Sequence, residues 1–131
     1  MTSSQDTITN YTANSVLNVL KNTAFSAISA VYVGFINGDP TRAGTGGTEV
    51  TTTIRTAGRL EVTFDAPVAG VMTNTDKVDF GAADQSTTIT AIGIYDASSG
   101  GNLLFYKNIP QLSVSAGQNV IVKKGTLRLG F

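Results

Sequence analysis

Apolar residues recur with a period of two along most of this chain, interrupted by clusters of Gly, Asn, Asp, Ser and Pro, which is the pattern of antiparallel strands joined by short turns. The clearest unit is residues 91–106. Ile92 and Ile94 precede, and Leu103 and Phe105 follow, the run Ser98-Ser-Gly-Gly-Asn102, whose glycines and asparagine accept positive φ, so a β-hairpin is predicted. Upstream, Val31-Tyr-Val-Gly-Phe-Ile36 is a strand stopped by Asn37-Gly-Asp-Pro40. Further strands are predicted at 49–55, at 59–66 with Leu60, Val62 and Phe64 on one face, and at 71–80, 87–96, 103–109, 119–123 and 125–131. In the last of these Leu127, Leu129 and Phe131 alternate, so its loss should damage the sheet.

The period changes near the N-terminus. Val16, Leu17, Val19, Leu20 and Phe25 recur near the helical repeat behind Asn14 or Ser15 as cap, which predicts one short helix over 14–25. Residues 1–11 are rich in Ser and Thr with few apolar anchors and read as a flexible N-terminal arm that orders on a partner. The fold class that follows is all-β, an antiparallel β-sandwich or jelly roll with one short N-terminal helix, built as a single domain over 1–131.

Composition narrows the chemistry. The length suits one core, and the formal net charge is zero with only 14 % charged residues, which leaves no basic stripe for a phosphate backbone; nucleic acid is not an expected partner. Low charge with abundant Thr, Ser, Gly and Asn suits a surface covered by other subunits. The chain holds no His and no Cys, the side chains that most often supply acid-base, nucleophilic and metal chemistry near neutral pH, so no enzyme activity, metal or cofactor is expected. The apolar stretch at 25–36 is broken by Ser26, Ser29, Tyr32 and Gly34 and is shorter than the ~20 residues of a membrane span, so no membrane partner is expected. The opening residues lack a cationic start and an apolar segment, which implies synthesis in the cytoplasm without export.

Three groups of residues invite a chemical reading. Gly44-Thr-Gly-Gly47 is glycine-rich, but no Gly-Lys-Ser/Thr follows, so it is a loop and not a phosphate cradle. Asp76, Asp79 and Asp84 carry oxygen ligands without the spacing of an EF-hand, and Asp65, Asp79, Asp84 and Asp96 include no pair singled out for glycoside hydrolysis. Tyr95 and Tyr106 sit on the hairpin either as interface residues or as packed cross-strand partners, two readings that alternation alone leaves open.

The order of several segments resembles that of a group of small phage virion proteins, tail-fibre-like or head-decoration in kind. These are Val31-Tyr-Val-Gly34, Asp39-Pro-Thr41, Gly44-Thr-Gly-Gly-Thr-Glu-Val50, Gly58-Arg59 before Val62-Thr-Phe64, and Thr73-Asn74 before Val78-Asp-Phe80. Ile92-Gly-Ile-Tyr-Asp-Ala97, Gly100-Gly-Asn-Leu-Leu104 and Gly125-Thr-Leu127 complete the series. Thr56-Ala-Gly-Arg59 departs from the expected Tyr and Ala beside the second strand. The resemblance implies a structural part of a virion: foremost a cement protein that assembles as a homotrimer on the capsid surface and binds the major capsid protein. The alternative it implies is a tail fibre or baseplate component that binds a host surface receptor, a glycan, through the loops at 37–48 and 98–102. Tyr11, Asp39, Arg42, Thr45, Tyr95 and Tyr106 are the interface residues expected on this reading.

Overall fold

The hairpin predicted from the Ser-Gly-Asn turn forms the spine of the fold. In the computed structural model, which describes residues 6–55 and 58–130, its arms are β7 (Thr87–Tyr95) and β8 (Leu103–Val114), paired antiparallel with Ile94 opposite Phe105. Strand β8 runs past the predicted end at 109 and through Pro110. The register shifts between Ile89 and Ala91 on the partner strand, and this bulge accommodates a residue that has no N–H to donate.

β2 (Val31–Asn37) lies antiparallel on the other side of β7, with Phe35 opposite Ile92 and Gly34 opposite Gly93. Its far edge is shared by β3 (Thr48–Val50) and β4 (Leu60–Val62), while β1 (Thr7–Ile8) extends the sheet beyond β8. The second layer consists of two antiparallel ladders. One pairs β5 (Val71–Thr73) with β10 (Arg128–Gly130), the other β6 (Val78–Ala82) with β9 (Asn119–Val122). Val33, Phe35, Ile92, Ile94 and Phe105 of the large sheet pack against Val78, Phe80, Val120, Val122 and Leu129 of the ladders and Leu127 just before β10, with the Phe35 and Phe80 rings 4.7 Å apart. The architecture is an all-β antiparallel sandwich with one helix.

Several predicted boundaries shift for identifiable reasons. The strand predicted over 71–80 divides into β5 and β6 because Asn74 turns inward and is fully buried. Its amide donates to the carbonyls of Asp76 and Lys123 and its oxygen accepts the Leu127 N–H, so one side chain holds the corner between the ladders. The strands predicted at 49–55, 59–66 and 125–131 contract to β3, β4 and β10, and Thr56, Ala57 and Phe131 lie outside the described residues.

The helix α1 (Asn10–Val19) starts four residues earlier than predicted and ends six earlier. Thr9, not Asn14 or Ser15, is the N-cap, and its hydroxyl lies 2.7 and 3.0 Å from the carbonyl oxygens of Leu103 and Leu104, partners 94 and 95 residues away. At the other end Asn22 takes φ 62°, its N–H donates to the Val19 carbonyl, and the Thr23 N–H donates to that of Asn18; this Schellman closure stops the helix before Phe25. Of the arm predicted over 1–11, residues 1–5 lie outside the described residues, 6–9 are built into the sandwich, and Asn10 and Tyr11 open α1. The Asp6 N–H donates to the Arg128 carbonyl at 2.7 Å, Thr7 pairs with Tyr106, and Thr9 is buried. Among the described residues no helix is long and apolar enough to cross a membrane.

Candidate functional site

The outer face of the large sheet carries a second, smaller core of Ile36, Ala91, Tyr95, Leu103 and Tyr106. Its centre is Arg59. The guanidinium holds Glu49 in a two-pronged pair, Nε to Oε2 at 2.7 Å and Nη2 to Oε1 at 2.8 Å, while Nη1 donates to the carbonyls of Ala97 at 2.6 Å and Gly100 at 2.9 Å. It also stacks 3.5 Å above the Tyr95 ring. One buried cation thus ties β3, the start of β4 and the β7–β8 turn together.

This stack needs a bare patch of sheet. Gly34 and Gly93, opposite one another across β2 and β7, supply it: a Cβ at Gly34 would lie 3.1 Å from Arg59 Cγ, and one at Gly93 would lie 2.8 Å from Leu103 Cδ1 and 3.0 Å from Tyr95 Cε1. Burial pushes the Tyr95 phenol up to about 12, with the Glu49 carboxylate adding to the rise and Arg59 opposing it, so the ring stays neutral beneath its cation.

Two loops frame the Arg59 stack. In the turn, Asp96 Oδ1 accepts the Asn102 N–H at 2.7 Å and Oδ2 accepts its side-chain amide at 3.0 Å, which fixes the segment whose carbonyls Arg59 grips. The loop at 37–48 folds over Tyr95 and Leu103. It is pinned where Gly38, at φ 111°, meets Gly47, at φ 71°, so closely that a Cβ on Gly38 would lie 2.7 Å from the Gly47 Cα. The Gly38 N–H donates to Thr90 Oγ1 at 2.6 Å, and the Asn10 N–H donates to the Arg42 carbonyl at 2.7 Å, which joins the loop to the start of α1. A cavity of about 270 Å³ opens between the turn and residues 51–52, lined by Glu49, Thr51, Thr52, Arg59, Ser98 and Ser99.

Of the six residues expected at an interface, Tyr11, Asp39, Arg42 and Thr45 are exposed, on the loop and on the helix start tied to it. Tyr95 and Tyr106 are buried in the outer-face cluster, so their place is the packed one of the two readings. Period-two alternation sends them to the outer face, but the loop at 37–48 turns that face into core. The candidate carboxylates do not converge. Asp79 accepts the Gly81 N–H, Asp65 the Thr75 hydroxyl and Asp96 the Asn102 amides, and among the described residues no group of three or more metal-binding side chains forms. Arg59 and Glu49 escaped the sequence reading as site residues. The available signal was indirect, for the segments that carry the resemblance place Gly34, Glu49, Arg59, Gly93, Tyr95 and Gly100 around one stack and Asn74 and Leu127 around one corner.

A family model described as Podophage GP4 fiber I protein gp80 matches residues 7–130. The chain belongs to that family. No curated protein matches it. Membership makes the chain a phage virion structural protein of fibre type, and the matched span takes in the Arg59 stack, the Asn74 corner and both loops. The fibre I description fits the tail-fibre alternative better than the capsid-cement reading that leads the sequence analysis.

The buried carboxyl of Asp6 stands apart from these features. Burial raises it to about 6 against the opposing charges of Lys107 and Arg128, and its Oδ1 has no hydrogen-bond partner among the described residues.

Proposed function

We propose that this fibre I family member is a host-recognition component of the virion, binding a surface glycan without turnover through the end of the sandwich where the 98–102 turn faces residues 49–52. The observation that carries the reading is the Arg59 stack, which fixes the 98–102 turn beside the hydroxyl-lined cavity before any ligand arrives. Sugars are recognised by short polar side chains and carbonyls that exchange hydrogen bonds with ring hydroxyls, and Thr51, Thr52, Ser98 and Ser99 supply such groups on a preorganised frame. Family membership supports the fibre context, and repetition of fibres around a virion makes weak single contacts strong in sum.

The test is competition for adsorption. Purified protein added in excess to host cells should block attachment of the virion that carries it, and Thr52→Val with Ser98→Ala should abolish the block while the thermal transition stays within a few degrees. Failure of the wild-type protein to compete, with the virion still adsorbing, would refute the receptor reading.

A further inference from the structure

The chain that follows α1 doubles back along it. Behind the Schellman closure the segment 23–29 returns toward the helix start, where the Phe25 ring meets that of Tyr11 edge to face, centroids 6.5 Å apart at 81°. Between the helix and the returning segment lies a cavity of about 370 Å³, against about 270 Å³ for the one beside the 98–102 turn, and within the ~300–1,000 Å³ of small-molecule sites. Its lining joins two kinds of surface. Tyr11 and Phe25 supply ring carbon, while Asn18, Thr23, Ser26 and Ser29 supply an amide and three hydroxyls that make no hydrogen bond to another described residue. The frame is set before a ligand arrives, since Thr12 anchors the helix start to the Leu104 carbonyl at 2.9 Å and Asp96, which also lines the cavity, is held by both amides of Asn102.

Ring carbon beside unspent hydroxyls and an amide suits a sugar, whose ring has apolar C–H faces and a polar rim of hydroxyls. Position relative to the first cavity then gives the class of glycan. Asp96 lines this cavity and Ser98 lines the other, and two residues of chain put no more than about 7 Å between their Cα atoms. The turn that opens at Asp96 is a wall common to both. We infer that the two cavities are subsites for one extended neutral glycan that crosses this turn, so that several sugar units are held at once. The inference rests on the glycan reading above and names its ligand, a polysaccharide gripped along its length in place of a single terminal sugar. Charge selects the neutral chain. Asp96 is the one charged side chain among the residues lining the α1 cavity, and in the other Arg59 is committed to Glu49 and to two carbonyls. An anionic sugar would find no unpaired cation in either and would meet the Asp96 carboxylate in one.

The probes are fragments of the host's surface polysaccharide, released by mild acid, separated by anion exchange into neutral and acidic pools and sized, with binding to the full chain followed by titration calorimetry. Affinity for the neutral pool should rise by about tenfold or more from disaccharides to hexasaccharides, because the second subsite is then engaged at high effective concentration. Asn18→Ala and Tyr11→Ala should each erase that gain, so that long and short fragments bind alike. Asn18→Ala removes the amide and leaves a better helix former in its place, so α1 is retained. Equal wild-type affinity at every length, a gain that survives both substitutions, or preference for the acidic pool would each overturn the inference and leave the glycan reading standing, since binding itself would remain. Absence of binding by every fragment, from protein with a normal thermal transition, would overturn the glycan reading and this inference with it.

Discussion

Replacing Arg59 with Met removes the cation that joins β3, β4 and the β7–β8 turn while keeping a side chain long enough to cover Tyr95. Truncating one partner of a buried ion pair costs about 3 to 5 kcal/mol, because the remaining charge stays desolvated. Glu49, whose side chain is 23 % exposed, rehydrates in part and takes the pair toward the lower end of that range. The carbonyls of Ala97 and Gly100 each lose a charged donor, a further ~1 kcal/mol apiece where water does not replace it. The expected loss is therefore about 3 to 5 kcal/mol. With ~2.1 cal/mol/K of unfolding entropy per residue, a chain of this length loses roughly 0.28 kcal/mol per degree near its midpoint, so Tm should fall by about 11 to 18 °C. Urea denaturation should show the loss in the midpoint at unchanged slope. Glu49→Leu combined with Arg59→Met should be less destabilised than Arg59→Met alone, since no carboxylate is then stranded. A loss below about 1 kcal/mol, or a double variant that is simply additive, would refute the assignment of Arg59 as the fastening of the loop end.

Four further outcomes follow from the same geometry. Asn74→Ala should cost about 2 to 4 kcal/mol by urea denaturation, because three backbone groups lose their partner inside the corner between the ladders. Gly93→Ala should cost about 1 to 3 kcal/mol and exceed Gly34→Ala, since its Cβ meets Leu103 at 2.8 Å whereas that of Gly34 meets no atom closer than 3.1 Å. A chain ending at Gly125 should lose its cooperative thermal transition, because Leu127 and Leu129 are both buried in the core. The Asp6 carboxyl, raised from 3.8 to about 6, binds its proton more tightly in the folded state than in the unfolded one, so its contribution is full below pH 4 and is lost as pH rises through 6. Asp6→Asn should match the wild type near pH 4 and exceed it by on the order of 3 kcal/mol above pH 7, in denaturation curves taken across that range.

What the sequence disclosed, and what it hid, divides along the range of the interactions involved. The β7–β8 hairpin was legible because Ser98 to Asn102 and the flanking Ile and Leu residues settle it within sixteen positions. The start of α1 was not, because its cap is chosen by carbonyls of Leu103 and Leu104 some ninety residues away. Alternation places Tyr95 and Tyr106 on the outer face, yet the burial of Tyr95 depends on Arg59 and on a loop from another part of the chain lying over that face. Arg59 enters the sequence only as part of the segment Gly58-Arg59; its partners stand 10, 38 and 41 residues away, and no local pattern announces a buried arginine. Asn74 falls within a predicted strand because two of its three partners, Lys123 and Leu127, become neighbours only after β5, β9 and β10 have formed.

The measurement that bears most directly on the central claim is the copy number of this protein relative to the major capsid protein in purified virions, by quantitative mass spectrometry. A host-recognition fibre is present at a small fraction of the capsid subunit count, and that ratio is the predicted result. A ratio near one would contradict the fibre account and place the protein on the capsid shell as a cement protein.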